Sequence, residues 1–309
     1  MLYENKDNSY YASEIAEFLG LTLRGENCEI YQPCSMANPK NNSIMFLTDS
    51  PEDKNYDFIK LNNFTDVLLI LPDSFDRLPS CSYIMSKDPK LDFTKMLYEF
   101  FVDLPKKEIH PRAIIEKGAI LGSEVSIGAG SIVGPEVSIG DNTIISSNTV
   151  ISGKVTIGKN CVIKSNATIG SEGFNFILDR KDLIHMPQLG EIIIEDHVWI
   201  GANSTIERAT LDQTVIGSHV KIDDLVQIGD GATIGKHTEI AAGSIVCRKV
   251  RIGERCWIAP NVTINSGVNI EDRAMVGLGT VVLKSVESDM VVCGNPAKIL
   301  RSAKLLNRR

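Results

Sequence analysis

The chain has 309 residues, enough for one large or two ordinary domains, and a net charge of −7 that argues against a nucleic-acid-binding surface. Its seven cysteines are scattered, odd in number and never spaced C-x-x-C, which predicts reduced thiols in a cytoplasmic protein rather than a disulfide frame or a zinc site. The N-terminal stretch lacks the basic start and apolar core of a signal peptide, and no apolar run approaches the ~18 residues of a membrane span.

Residues 1–108 show no repeat. In "SEIAEFLGLTLRG", Ile15, Phe18 and Leu19 fall on one helical face, and Gly20 is placed to end the helix. The pieces "SIMFLT", "DVLLIL" and "CSYIM" read as strands, and "LDFTKMLYEFF" as a second apolar-faced helix, so a small α+β domain is expected. The segment "DLPKKEIHPRAII" links this domain to the repetitive remainder of the chain.

From Ile115 an aliphatic residue recurs at every sixth position through Ile169. The beat is lost over residues 171–191, returns at Ile194, Ile200 and Ile206, and resumes after a four-residue insertion. Twelve consecutive positions then keep it from Ile216 to Val282. With Ile, Leu and Val at roughly a quarter of positions in ordinary chains, chance cannot produce that run. Positions two before the beat are small or β-branched (Val125, Ser131, Thr143, Ala274), and glycine often comes directly after it. Short strands that each point one aliphatic side chain inward, joined by turns needing Gly or Asn, produce this period. Three strands close one coil of eighteen residues, so the twenty-five beats predict about eight coils, roughly 38 Å of three-sided prism at the strand spacing. This domain is assigned to residues 109–290, with a loop excursion at 171–191, and residues 291–309 form a short basic tail expected to be helical.

Eighteen-residue spacing stacks Asp230, Arg248, Ser266 and Lys284 on one edge, a track able to take an extended pantetheine arm with its acyl end near Asp230. The same arithmetic leaves a solvated turn column of mixed charge as the other reading. His219 and His237 stack on another edge, too far from Asp230 for a hydrogen bond within one prism; His237 could serve as base only where a neighbouring subunit brings its edge against Asp230. His197 and His110 read as turn and surface residues, and no metal is expected. An excursion of some twenty residues packs on something, commonly a neighbouring subunit or a ligand, which makes Phe174, Phe176 and His185 candidates for substrate contact or for plain loop packing.

The repeat resembles the hexapeptide, left-handed parallel β-helix superfamily, most of whose members are acyltransferases. The order of the pieces, with "SIMFLTD", "IHPRAIIEKGAILG", "IGSEGFNF", "IGANSTIERATLD" and "VKIDDLVQIG", resembles the UDP-3-O-acylglucosamine N-acyltransferase family of lipid A synthesis over residues 8–246. That likeness implies a homotrimer with sites between prisms, a nucleotide base stacked on Phe46 and read by Asp49, and a substrate contact at Asp223. By its position alone Phe46 reads as a core residue; Tyr56 is a weak match for the family's second aromatic. The family carries a histidine base where this chain has Asp230 in "QIGDG". An exposed aspartate near 3.9 is a poor base unless burial or a neighbouring carboxylate raises it, and Asp212 is the expected neighbour.

The end of the chain, "CGNPAKILR", resembles acetyl-CoA-dependent hexapeptide transferases instead. That resemblance implies that Arg248 offers a backbone N–H to the oxyanion, and that Gly294, Asn295, Ala297, Lys298, Arg301 and Lys304 lie near the coenzyme. The combined expectation is an N-acetyltransferase moving acetyl from acetyl-CoA to the amine of a nucleotide-linked amino sugar in surface-polysaccharide synthesis, with Asp230, Arg248 and His237 catalytic. The alternatives are UDP-3-O-acylglucosamine N-acyl transfer from acyl carrier protein, and a sugar-nucleotide-binding scaffold without turnover.

Overall fold

A computed structural model describes residues 4–5, 8–103 and 106–303. The chain divides into two compact units, residues 1–105 and 106–309.

In the first unit a five-stranded sheet runs in the order Leu23–Arg24, Ser82–Ser86, Val67–Pro72, Ser43–Phe46 and Gln32–Pro33; all neighbours are parallel except the first pair. Val67–Pro72, the apolar "VLLILP", is buried along its whole length because both faces are covered. Leu68 and Ile70 pack with Ile15 and Phe93 of the helices Ala12–Leu19 and Pro89–Met96. Val67, Leu69 and Leu71 pack with Phe58 and Leu61 on the other side. Gly20 ends the first helix in the left-handed conformation at φ 66°, as its position after Leu19 predicts.

The second unit is a left-handed parallel β-helix of three walls, with nine, eight and ten strands. The first wall runs from Ile114–Ile115 to Val281–Val282, the second from Ile120–Leu121 to Asn269–Ile270, and the third from Ser126–Ile127 to Met290–Cys293 and Lys298–Ser302. Each strand pairs in register with the equivalent strand of the next coil, Ile228 opposite Val246 and Ile234 opposite Ile252. From Ile127 to Val282 every beat residue is at most 2% exposed. The column two positions earlier is buried too, and its hydroxyls bridge coils: Thr238 donates to the Gly253 carbonyl at 2.7 Å and accepts the Cys256 N–H at 3.0 Å. A small polar side chain there supplies hydrogen bonds that the tight corner takes from the backbone. Cys161 and Cys256 occupy the same column, where burial pushes each thiol up to about 11. All seven cysteines are unpaired.

The tail departs from expectation. Lys298–Ser302 is a strand, antiparallel to Met290–Cys293, because the last coil leaves an open strand edge that a returning segment can satisfy. Residues 304–309, Lys304 among them, lie outside the described residues. Among the described residues no helix is long and apolar enough to cross a membrane.

The corner between the second and third walls holds the expected His219–His237 stack, lengthened by His197. His197, His219 and His237 all adopt left-handed backbone, and their rings stack at 4.6 and 4.7 Å within 10° of parallel. Face-to-face rings set their nitrogens side by side rather than converging, and among the described residues no group of three His, Cys, Asp or Glu is placed to hold a metal ion. Desolvation, then the charges of His197, His237 and Lys221, hold His219 below the ordinary 6.5, with Asp196 opposing.

Two outcomes are expected. Ile222→Ala should cost about 2–5 kcal/mol in urea unfolding, whereas Ile245→Ala, on an outer face, should cost less than about 1 kcal/mol. Because the fold lowers the His219 pKa, its contribution to stability is complete above 6.5 and is lost as pH falls through the folded value. Between about pH 7 and pH 5 the melting temperature of His219→Asn, which keeps a residue tolerant of left-handed backbone, should fall less than that of the parent.

Candidate functional site

Both interruptions of the beat occur at one corner, between the first and second walls. The excursion bulges at Gly170, leaves the first wall after Glu172 and rejoins at Glu191–Ile194; the four-residue insertion lies between Ile206 and Gln213–Ile216. Gly170 makes the departure possible: its φ is +94°, and a Cβ there would lie 1.7 Å from the Ser152 carbonyl oxygen. The excursion then forms a hairpin, Phe176–Asp179 antiparallel to Asp182–His185. The segment after the hairpin lies along the insertion, with the Leu189 N–H donating to the Thr210 carbonyl at 2.8 Å and the Gly190 N–H to the Ala209 carbonyl at 3.0 Å.

Asp230 sits on the next coil of this corner and is 4% exposed. Its Oδ1 lies 3.6 Å from Arg248 Nε, and its Oδ2 accepts from the Thr210 hydroxyl at 3.4 Å. Its backbone N–H donates to Glu207 Oε2 at 3.3 Å, while Gln227 donates to Glu207 Oε1 at 2.9 Å. Burial raises the Glu207 carboxyl above its ordinary range and the Asp230 charge adds to this, against the lowering by those two hydrogen bonds. From the excursion, Gln188 is fully buried and accepts the Gly173 N–H at 2.7 Å. Glu172 meets Arg208 at 2.7 Å and His185 at 3.4 Å.

Among the described residues, four buried side-chain atoms have no hydrogen-bond partner: Ser171 Oγ, Gln188 Nε2, Arg208 Nε and Arg248 Nε. All four belong to this corner. Buried donors without acceptors are costly, and two of them, Gln188 Nε2 and Arg248 Nε, lie beside the Glu207–Asp230 pair, which makes this corner the candidate site. Gly229 contributes by what it lacks, since a Cβ there would lie 2.7 Å from the backbone nitrogen of Arg248 and cover that N–H.

The eighteen-residue track holds: Asp230, Arg248, Ser266 and Lys284 each stand two positions after an inward residue of successive first-wall strands, paired Ile228–Val246–Ile264–Val282. Other expected members lie elsewhere. Gly294, Asn295 and Ala297 cap the third–first corner, where Val281 donates to the Gly294 carbonyl at 3.1 Å and the Ala297 N–H to Val281 at 2.9 Å. Lys298 and Arg301 belong to the antiparallel edge strand, so within one chain this group does not extend the Lys284 track. Asp223 also lies at the third–first corner, one turn of wall away from Asp230. His237 is on the second–third corner, in the stacked column.

The carboxylate bonded at Asp230 is Glu207 rather than the expected Asp212, which lines a cleft of about 520 Å³ with Lys154, Glu191 and Leu211. Sequence reasoning missed Glu207 because the insertion makes its stacking interval irregular; its one signal was a charged residue directly after Ile206, where glycine usually stands. His185 joins the corner through Glu172, while Phe174 is 90% exposed and touches Phe176 at 5.1 Å. In the first unit Phe46 packs at 4.7 Å on Phe93, a core position, and Asp49 is engaged by Ser74 and by Lys54 at 3.5 Å. Tyr56 packs edge-on against Phe58.

Known proteins resemble both parts of the chain. The bacterial transferase hexapeptide (six repeats) family matches residues 136–171 and 213–248, and the hexapeptide repeat of succinyl-transferase matches 191–223 and 249–284. A UDP-3-O-acylglucosamine N-acyltransferase of Coxiella burnetii is 33% identical over 295 residues, covering 88% of this chain and 85% of its own. One from Delftia acidovorans is 46% identical over 186 residues, 60% of this chain and 56% of its own. Among solved structures, LpxA from Acinetobacter baumannii superposes with a TM-score of 0.52 at 25% identity, over 63% of this chain and 74% of that one.

Proposed function

Because the chain belongs to the UDP-3-O-acylglucosamine N-acyltransferase family of hexapeptide-repeat acyltransferases, we propose that it acylates the amine of a UDP-linked 3-O-acylglucosamine from an acyl carrier protein thioester. The observation that carries this reading is identity that runs through both units, not through the repeat alone. It favours the lipid A reaction over the acetyl-CoA expectation drawn from the last residues.

The chemistry is direct attack of the amine on the thioester, with no covalent enzyme intermediate. The first–second corner supplies carboxylates to draw a proton from the acceptor, and the Arg248 N–H left open by Gly229 faces the charge that develops on the carbonyl oxygen. Arg248, Ser266 and Lys284 provide the track for the phosphopantetheine arm of the donor. The working enzyme is a cytoplasmic homotrimer, and the hairpin's exposed Leu178, Leu183 and Ile184 suit burial against a neighbouring copy. Acetyl transfer is the second reading, favoured by the segment Cys293–Lys298 and its likeness to coenzyme A-dependent transferases.

Thiol release measured with hydroxyacyl carrier protein and with acetyl-CoA, against UDP-3-O-acylglucosamine and a set of UDP- and dTDP-amino sugars, separates these. Turnover of the carrier-protein thioester with the UDP-3-O-acyl acceptor is expected, at a kcat/KM roughly 100-fold or more above acetyl-CoA. Release from acetyl-CoA alone transfers the assignment to acetyl transfer, and binding without any release leaves a scaffold.

A further inference from the structure

The two carboxylates of the corner differ in how they can be reached. Asp230 is 4% exposed, with Arg248 and Thr210 on its two oxygens. Glu207 is only half-buried. A Cβ on Gly173 would come within 2.7 Å of Glu207 Oε2, 3.0 Å of Gln188 Nε2 and 3.3 Å of Asp230 Oδ1, so glycine at 173 keeps a shared approach to all three. Gln188 Nε2 is buried and unpartnered, aimed into that same approach.

We infer that Glu207 takes the proton of the acceptor's ammonium, and that Asp230 is a positioning charge behind it, so that a carboxylate pair does the work of one imidazole. This rests on the N-acyl transfer reading. Glu207 Oε2 accepts a proton from the ammonium, and the freed nitrogen pair forms the C–N bond to the thioester carbon as the carbonyl π pair moves onto oxygen. When the adduct collapses, the C–S bond breaks with its pair on sulfur. The thiolate takes the proton that Glu207 holds, and Glu207 then takes the second proton from the amide-forming nitrogen and releases it to water. One proton ends on the thiol and one in solvent, which balances an ammonium acceptor.

A lone carboxylate near 4 is mostly the wrong strength for this step at neutral pH; burial and a like charge correct it in the direction found for Glu207. The charged and titratable groups around it are Asp230 and Arg248 on the next coils, Cys247 on the first wall, Arg208 beside it on its own strand, and Glu172 and His185 of the excursion. Cys247 lies close enough to Glu207 to feel its charge, which adds to the rise of the thiol by burial and is opposed by the Ser266 hydrogen bond.

The test uses the full chain with pH–rate profiles of parent, Glu207→Gln, Glu207→Asp and Asp230→Asn, alongside ¹³C titration of the Glu207 carboxyl. Glu207→Gln should lower kcat about 100-fold or more with KM nearly unchanged, and Glu207→Asp should recover part of it. Asp230→Asn should move the acid limb of the profile, and the Glu207 titration, to lower pH, which loss of packing alone does not do. A Glu207→Gln enzyme within about threefold of the parent and with the same acid limb overturns the inference. So does an Asp230→Asn enzyme that loses turnover while Glu207 titrates unchanged, which makes Asp230 the base. If the parent releases no thiol from any donor, the functional reading fails instead, and a Glu207 midpoint in the ordinary glutamate range in both proteins then rules out the pair on its own.

Discussion

Parallel pairing between coils is the constraint on which every other feature of the prism depends. Each inward residue lies opposite its counterpart one coil away, as Ile222 does to Ile240 and Ile240 to Ile258. A slip of one residue would send the aliphatic column outward and a polar one into the prism. Longer insertions therefore leave at a corner and return in register, and the first wall admits a single extra residue only as a bulge at Gly170, beside that corner. Both departures in this chain use the same corner, and the Glu207–Asp230 pair lies where they meet.

That coincidence has an electrostatic result. The ribbon and the insertion roof over Asp230 and take Gln188 and Arg208 into regions that water reaches poorly. There, charges act at shorter effective screening than on an open surface, and a second carboxylate changes the behaviour of the first. Where the family places an imidazole, this chain instead surrounds an aspartate with an arginine, a threonine and a glutamate. The replacement is thus a rebuilt neighbourhood rather than one altered side chain.

The same pairing rule divides the legible residues from the hidden ones. Ile216 to Val282 keep an uninterrupted beat, so the walls and the Asp230–Arg248–Ser266–Lys284 column are legible by counting. Glu207 and His197 are not, because the insertion sets the interval across that coil at twenty-two, and a column found by eighteens passes over both. The tail reads as helical in sequence because its local pattern carries no information about the strand edge awaiting it at Met290–Cys293. Glu207 rather than Asp212 is the carboxylate bonded at Asp230, and counting by eighteens from the second wall points only to Asp212.

The Gly170 departure carries a consequence for engineering. The ribbon after Glu172 is spliced between the first-wall strand Thr168–Glu172 and the second-wall strand Glu191–Ile194, each of which pairs with the neighbouring coils without it, so it is laid out as an exchangeable cartridge. A graft that keeps the glycine hinge and a buried amide at the return exchanges what stands over the Glu207–Asp230 pair, while the prism beneath retains its spacing untouched.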